Sequence, residues 1–233
     1  MIDTTMPMAM KAKTKTISRT SVFIVEDHPV FRAGLSELVN SEPNLRVSGN
    51  AATAAKALQD IGRLNPELVL VDIGLPGKNG LELIRALRVK DKQVKLLVIS
   101  MHDEALYADR VLRAGGDGYV MKQEDPSEIL EAIQDVLAGR TYVSEEVLAG
   151  KRKATTQSRS KLKVRPLDSL TDMELTILES LGCGKSDRDI GRQLRLTPAV
   201  LKDSYSQMEK KLKLKNAREL HVYALSWVQA GGG

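Results

Sequence analysis

The sequence is poor in cysteine and in long apolar runs, and both shortages narrow what the protein can be. Cys183 is the single cysteine among 233 residues, so no disulfide can form within the chain and a reducing cytoplasm is the expected environment. No segment approaches the roughly 18 apolar residues that a membrane span needs. The first twenty residues also lack the apolar region of a secretion signal. We therefore expect a soluble, cytoplasmic protein with no membrane partner and with a flexible tail over residues 1–20.

Acidic and basic side chains are divided unevenly along the chain. Residues 151–233 carry 17 Lys and Arg against 9 Asp and Glu, whereas residues 1–150 carry 18 against 21. Most of the basic excess comes from residues 151–165, which hold seven basic and no acidic side chains. Such a run without apolar periodicity indicates a linker. We therefore predict two domains with different partners, joined by a basic linker over residues 140–167.

Between Ser21 and Gly139, short β-branched runs alternate with amphipathic runs of helical length. This alternation predicts five βα units, and hence a parallel sheet with helices on both faces. The predicted strands are Val22–Val25, Leu45–Asn50, Leu68–Val71, Lys95–Ile99 and Gly118–Val120. The predicted helices are Val30–Asn40, Ala54–Leu64, Gly80–Val89, Glu104–Ala114 and Pro126–Ala138.

Beyond the linker, short helical segments recur with tight breaks, which predicts a compact bundle of about four helices. Thr171 and Glu174 form a capping-box sequence that opens the first helix. Ser186 and Thr197 are predicted to cap the next two, which are spaced as a helix-turn-helix, and the fourth begins near Asn216. The predicted inward residues of the bundle are Leu175, Leu178, Leu181, Leu201, Tyr205, Met208, Leu212, Leu220, Ala224 and Trp227.

Parallel strands would bring polar residues from distant parts of the sequence to one rim of the sheet. Glu26 and Asp27 follow the first strand, Asp72 the third and Lys122 the fifth, while Ser100 follows the fourth. Asp72 stands out because ligands in open α/β sheets bind just beyond the carboxyl ends of strands. Clustered carboxylates repel one another unless a cation lies between them, and Mg²⁺ is typically bound by one or two carboxylates plus phosphate oxygens. The rim therefore implies a metal site.

This rim, together with Pro76 and Gly80 in the loop after Asp72, resembles the receiver domain of two-component response regulators. The resemblance spans residues 21–139 and implies a flavodoxin-like, doubly wound five-stranded sheet. It also implies that a histidine kinase is the partner and that Asp72 is the phosphoacceptor, with Mg²⁺ as cofactor.

The same resemblance assigns roles to the other rim residues. It implies that Asp27, Asp72 and the backbone carbonyl of Gly74 hold Mg²⁺, with Glu26 acting through water. Phosphorylation would add nearly two negative charges. The resemblance implies that Lys122 pairs with the phosphoryl oxygens and that Ser100 moves toward them. It also implies that the ring of Tyr119 enters the space that Ser100 vacates. We assign no metal role to His28 or His102, because neither has an evident partner in the sequence.

Residues 168–229 are similar to the LuxR-type helix-turn-helix domain of NarL/FixJ response regulators. The matching residues are Gly184, Ser186, Ile190, Leu194, Leu196, Val200–Lys202, Lys211, Leu212, Leu214 and Asn216. The similarity implies that the third helix of this domain enters the major groove of double-stranded DNA. Its outward positions are Ala199, Lys202, Asp203, Ser206 and Lys210, with Lys202 as the leading candidate for a base or phosphate contact.

Three functional hypotheses follow. The first is a phosphorylation-controlled transcription regulator that binds paired DNA half-sites as a homodimer. The second is a signalling interaction protein whose divergent helix-turn-helix docks a protein partner or binds DNA weakly, since Asp203 would repel phosphate. The third, an aspartate-based phosphatase or transferase, ranks low because Gly74 offers no carboxylate as acid or base. We therefore expect slow self-hydrolysis and no enzyme.

Overall fold

The computed structural model describes residues 19–76, 79–144, 147 and 166–229. The predicted flexible tail, up to residue 18, lies outside the described residues, and so does the basic run 151–165 of the predicted linker. Within the described part of the chain, no helix is both long and apolar enough to cross a membrane.

The N-terminal part alternates strands and helices, which confirms the predicted α/β fold. Its strands are β1 (Thr20–Val25), β2 (Leu45–Ala51), β3 (Leu68–Val71), β4 (Lys95–Ser100) and β5 (Gly118–Met121). Its helices are α1 (Pro29–Ser41), α2 (Ala54–Leu64), α3 (Gly80–Lys90), α4 (Glu104–Ala114) and α5 (Pro126–Leu137). Every boundary lies within two residues of its predicted position.

The five strands form one parallel sheet in the order β2-β1-β3-β4-β5. The chain adds β2 on one side of β1 and then β3, β4 and β5 on the other, so the order reverses between β1 and β3. Val25 pairs with Val71, and Val71 pairs with Val98, so these three strands end at almost the same level. Ligands of open α/β sheets bind at the carboxyl ends beside such a reversal, and Asp72 follows β3 at this point.

Apolar side chains cover both faces of the sheet, which explains why the strands read as continuous apolar runs and not as alternating patterns. On one face, Val22 and Ile24 pack with residues of α1 and α5, such as Val39 and Ile133. On the other face, the cluster includes Phe23 and Val25 of β1 and extends over α2, α3 and α4.

The C-terminal part begins with a 3₁₀ helix, Pro166–Ser169, and continues as a bundle of α6 (Asp172–Gly182), α7 (Asp187–Leu194), α8 (Pro198–Leu212) and α9 (Ala217–Trp227). The predicted capping box is present, because Thr171 Oγ1 accepts from the Glu174 backbone and the Glu174 side chain accepts from the Thr171 backbone. Ser186, Thr197 and Asn216 cap the three following helices through their side chains. The predicted small all-α domain with a helix-turn-helix is thereby confirmed.

Helix α6 contacts both the bundle and the N-terminal domain. Leu175, Leu178 and Leu181 are buried, as the sequence predicts, but Thr176 and Ser180 are each only 5% exposed as well. A single apolar stripe therefore describes α6 incompletely. The apolar cluster on the α2–α4 face of the sheet continues into the bundle through this helix.

Candidate functional site

Two carboxylates and an ammonium group meet at the carboxyl ends of β1, β3 and β5. Lys122 Nζ lies 2.6 Å from Glu26 Oε2 and 2.8 Å from Asp72 Oδ2. The side chains of Glu26, Asp72 and Lys122 are 2%, 5% and 5% exposed. The parallel strands thus bring together side chains that are separated by up to about a hundred residues in the sequence, as their strand-end positions predict.

Lys122 is held as a cation in this buried position. Burial on its own lowers the pKa of Lys122, but the charges and hydrogen bonds of Asp72 and Glu26 outweigh burial and raise it above its ordinary value. The ring of Phe31 adds a weaker attraction, because Lys122 Nζ lies 4.8 Å from its centroid. The ammonium therefore persists throughout the physiological pH range.

The carboxylate of Asp27 extends the acidic group toward solvent. Glu26, Asp27, His28 and Asp72 each offer a ligand atom, and these atoms lie within 4.8 Å of one another. Within the described part of the chain, Asp27 Oδ1 is buried and accepts no hydrogen bond. It lies 3.1 Å from His28 Nδ1, but that nitrogen is hydrogen-bonded to Glu26 Oε1.

The charge and the donor atoms of this acidic group suit a hard divalent cation. Three carboxylates face one ammonium, so negative charge remains, and an oxygen with no hydrogen bond is available as a ligand. His28, for which the sequence offers no evident partner, has its Nδ1 at 3.1 Å from both Glu26 and Asp27. Its side chain is 71% exposed, however, and stands at the edge of the acidic group.

The loop after β3 is shaped by a close approach of two backbone segments. Gly80 N donates to Ile73 O at 3.1 Å, and a Cβ at Gly80 would lie 2.3 Å from the backbone oxygen of Asp72. The backbone amide of Gly74 contacts the Asp72 carboxylate, because Gly74 N donates to Asp72 Oδ1 at 3.2 Å. The close approach explains why glycine follows the aspartate at this distance. Gly77 and Lys78 of this loop lie outside the described residues.

The predicted switch residues lie beside the carboxylates and meet each other at His102. Ser100 is fully buried and its Oγ accepts from His102 N at 3.3 Å, while Tyr119 Oη donates to His102 O at 2.5 Å. Burial raises the pKa of Tyr119 well above its ordinary range, so the phenol stays protonated and remains a donor. No hydrogen bond found among the described residues joins Ser100 Oγ to Asp72.

His102 contacts the C-terminal bundle, which the sequence does not indicate. Its Nδ1 lies 2.5 Å from Oε2 of Glu179 on α6, 77 residues further along the chain. The sequence does not reveal the pair of His102 and Glu179, because the two residues belong to different predicted domains. The available signal was a polar row at helical spacing on α6, formed by Asp172, Thr176 and Glu179, which faces the N-terminal domain.

The second candidate surface is the outward side of α8. Leu201, Tyr205, Met208 and Leu212 are buried within the bundle, in agreement with their predicted inward positions. Ala199, Lys202, Asp203 and Lys210 are exposed, whereas Ser206 is half-buried and donates to the Lys202 carbonyl at 3.2 Å. Two basic residues and one acidic residue therefore dominate the accessible charge of this face.

Family models match both parts of the chain. The model described as "Response regulator receiver domain" matches residues 22–134, and "Bacterial regulatory proteins, luxR family" matches residues 168–224. The first match contains every residue of the acidic rim, and the second contains the whole of α8.

The chain also matches curated relatives along most of their length. The chain is 30% identical over 203 residues to the nitrate/nitrite response regulator protein NarL of Escherichia coli, covering 87% of this chain and 94% of the relative. It is 32% identical over 205 residues to the DNA-binding transcriptional activator DevR/DosR of Mycobacterium tuberculosis, covering 87% and 93%. The solved structure of the Salmonella typhimurium RcsB response regulator is 20% identical, covers 90% of this chain and 98% of its own, and superposes with a TM-score of 0.65, which shows a shared fold.

Proposed function

Because this chain belongs to the two-component response regulators that join a receiver domain to a LuxR-type DNA-binding domain, we propose that Asp72 is its phosphoacceptor. A histidine kinase is the proposed donor, and the phosphorylated state of Asp72 would control DNA binding and transcription. The main support is the contact between Asp72 Oδ2 and Lys122 Nζ at 2.8 Å inside a group of three carboxylates. A buried carboxylate beside a fixed ammonium is what phosphoryl transfer to aspartate requires.

The proposed reaction forms a bond between a carboxylate oxygen of Asp72 and phosphorus while the bond from phosphorus to the kinase imidazole breaks. Negative charge spreads over the three equatorial oxygens in the transition state, and Lys122 would stabilise it. The Gly74 amide, which donates to Asp72 Oδ1 at 3.2 Å, would orient the carboxylate. We expect no turnover of other substrates, only slow self-hydrolysis, because Gly74 supplies no acid or base.

Mg²⁺ is the proposed cofactor, and it would neutralise phosphoryl oxygens when bound. Asp27 and Asp72 are its proposed side-chain ligands, with the Gly74 carbonyl as a third and Glu26 acting through water. The hydrogen-bond-free Oδ1 of Asp27 and the excess of carboxylate over ammonium support this assignment.

The proposed output passes through Ser100 and Tyr119. Attraction of the Ser100 hydroxyl to the phosphoryl oxygens would remove it from His102 N–H, and the ring of Tyr119 would move into the vacated space. The two hydroxyls both bond to the backbone of His102, which supports a joint movement.

The C-terminal domain is proposed to bind double-stranded DNA through Lys202, Asp203, Ser206 and Lys210 of α8. A homodimer formed on phosphorylation would bind paired half-sites, and linking two weak contacts raises their effective concentration. Asp203 fits this role only where it accepts a hydrogen bond from a cytosine amino group.

The direct test compares the parent with Asp72→Asn in DNA binding, with and without acetyl phosphate and Mg²⁺. The donor is expected to tighten DNA binding by the parent and to leave Asp72→Asn unchanged. Asp135→Asn is a matched control on the receiver surface, where Asp135 pairs with Arg140, and it should behave as the parent. Equal tightening of the parent and Asp72→Asn would refute the phosphoacceptor role.

A second candidate function is docking of a protein partner by α8. The exposure of Asp203 beside Lys202 favours it, because a carboxylate on this face opposes contact with phosphate. A salt titration separates the two: direct DNA binding falls steeply with ionic strength, whereas a protein-docking helix forms no specific DNA complex at any salt concentration.

A further inference from the structure

His102 links both switch residues to the C-terminal bundle. Its backbone N–H donates to Ser100 Oγ and its backbone carbonyl accepts from Tyr119 Oη. Its imidazole Nδ1 lies 2.5 Å from Glu179 Oε2 on α6. A displacement of this one residue therefore changes the position of the switch hydroxyls and the contact between the domains together.

The contact between His102 and Glu179 is largely shielded from water. Their side chains are 15% and 13% exposed. The ring of Tyr107 lies 4.8 Å from the imidazole, and its hydroxyl is 3.5 Å from Glu179 Oε2. Because the carboxylate is enclosed by two receiver side chains, its removal leaves donors without their partner, which costs more than loss of an exposed pair.

Other contacts hold α6 on the receiver without involving the switch residues. Asp172 is bound by Arg85 at 2.8 Å and by Arg110 at 3.0 Å, on helices α3 and α4. Asn79 Nδ2 donates to Thr176 Oγ1 at 3.4 Å. These contacts fix the bundle in place. Ser100 and Tyr119 both bond to the backbone of His102, and among the described hydrogen bonds between the domains it is Glu179 that contacts His102.

We propose that Glu179 is a positioning residue for phosphorylation of Asp72. From the C-terminal domain it holds His102 in place, and through the backbone of His102 it keeps the Ser100 hydroxyl and the Tyr119 ring away from Asp72. The bundle thereby slows phosphorylation of the receiver. This inference rests on the proposed phosphorylation of Asp72 and assigns a regulator to that site.

Linkage makes the equilibrium part of this coupling reciprocal, whereas the rate of phosphorylation itself carries no such requirement. If docking of α6 disfavours the phosphorylated arrangement, phosphorylation must disfavour docking by the same factor. The outward residues Lys202, Asp203 and Lys210 of α8 are exposed while α6 is docked. The docked bundle therefore acts on the receiver at His102, and the receiver does not cover the charged face of α8.

The test measures the rate of phosphoryl uptake from acetyl phosphate by the full chain with Mg²⁺, where acetate leaves as the Asp72–phosphorus bond forms. Glu179→Ala is expected to raise the rate at least about fivefold, the lower end of coupling between linked sites. Glu179→Gln retains an acceptor for His102 Nδ1–H and should stay near the parent rate. Urea unfolding checks that the receiver domain of both variants is folded under the conditions of the assay.

A double-mutant cycle separates the route through His102 from loosening of the domains in general. His102→Ala keeps the backbone bonds to Ser100 and Tyr119 and removes only the ring. In that background, Glu179→Ala should have no further effect, whereas Asp172→Asn, which loses contacts to Arg85 and Arg110, should retain its own effect. Independent, additive effects of His102→Ala and Glu179→Ala would overturn the proposal.

Failure of this inference is distinguishable from failure of the proposed function. If the parent takes up phosphoryl groups but Glu179→Ala does so at the same rate, the positioning role is wrong and the phosphoacceptor role stands. If the parent and Asp72→Asn are labelled equally, the phosphoacceptor role itself is wrong. Phosphoryl uptake that rises in Glu179→Ala, returns in Glu179→Gln and requires Asp72 supports both.

Discussion

Lys122 Nζ lies 2.8 Å from Asp72 Oδ2, with each side chain only 5% exposed, and the same ammonium is 2.6 Å from Glu26. One cation is therefore shared by two buried carboxylates, and it offsets part of the mutual repulsion that would otherwise oppose folding. A divalent cation bound at Asp27 and Asp72 would perform part of the same task. The stability of the receiver should consequently depend on Lys122 and on divalent cations together.

Replacement of Lys122 by methionine tests this dependence. In the presence of chelator, Lys122→Met should lower the free energy of unfolding by about 3–5 kcal/mol, because buried carboxylates lose their counter-charge. Added Mg²⁺ should restore part of that loss and bind more tightly than to the parent, while phosphoryl uptake slows. Urea unfolding with and without Mg²⁺ measures the first two effects. Lys90→Met, at an exposed lysine of α3, is the control. If Lys122→Met lost the same stability with and without Mg²⁺, Lys122 and the divalent cation would not share this role.

Gly80→Ala should destabilise the receiver through the loop that follows Asp72. The added Cβ would lie 2.3 Å from the Asp72 backbone oxygen and 2.8 Å from Ile73 Cα, neither of which can rotate away. We expect a loss of about 1–3 kcal/mol or more in urea unfolding, as for an overpacked core.

Gly62→Ala provides a matched control for that substitution. Gly62 lies in α2 with open space around the position of a Cβ, so alanine there should stabilise the helix by up to about 1 kcal/mol. A shift of both variants in the same direction would show that the close approach at Gly80 does not govern its effect.

Local sequence patterns predicted most of the helices and strands correctly. The bounds of β3, α2 and α4 match the prediction residue for residue, because apolar periodicity and a capping residue act within a few positions. The acidic rim was also predictable, since parallel strands require Glu26, Asp72 and Lys122 to meet once the strand ends are known.

Contacts between the domains were not predictable in the same way. Glu179 lies in a short helix where an acidic side chain ordinarily faces solvent, and the polar row that it shares with Asp172 and Thr176 does not identify its partner. Its contact with His102 depends on the placement of α6 against α4, which is decided by packing over both domains. The same applies to Asp172, whose partners Arg85 and Arg110 belong to two different receiver helices.

Opposite effects on DNA binding are predicted for two neighbouring residues of α8. Lys202→Ala should weaken binding similarly for all sequences and reduce the slope of log K against log salt by about one if it contacts a phosphate. Asp203→Asn should tighten binding to DNA that offers Asp203 no cytosine amino group, because an exposed carboxylate no longer faces the phosphates. Fluorescence anisotropy over a range of salt concentrations measures both.

Lys90→Ala is the control for these two variants, since it removes an exposed charge from the receiver and leaves α8 intact. It should change neither the affinity nor the salt slope. If Lys202→Ala and Lys90→Ala had the same effect, the outward face of α8 would not be the DNA-binding surface.

Alkaline pH should destabilise the protein through its buried tyrosines. Burial raises the pKa of Tyr107 and Tyr119 well above the ordinary value of 10.0. Above about pH 10 the unfolded chain therefore releases protons that the folded chain retains, so the free energy of unfolding falls as pH rises. Below that pH both states are protonated, and these phenols contribute no pH dependence.

Urea unfolding at about pH 8 and about pH 11, followed with tyrosinate absorbance, measures this difference. Tyr119→Phe should reduce the loss of stability between the two pH values, because one buried phenol no longer titrates only in the unfolded state. Tyr223→Phe, at a half-buried position of α9, should reduce it less. The parent has five tyrosines. If all five formed tyrosinate before the protein unfolded, Tyr107 and Tyr119 would be accessible to hydroxide in the folded state. That result would contradict the prediction.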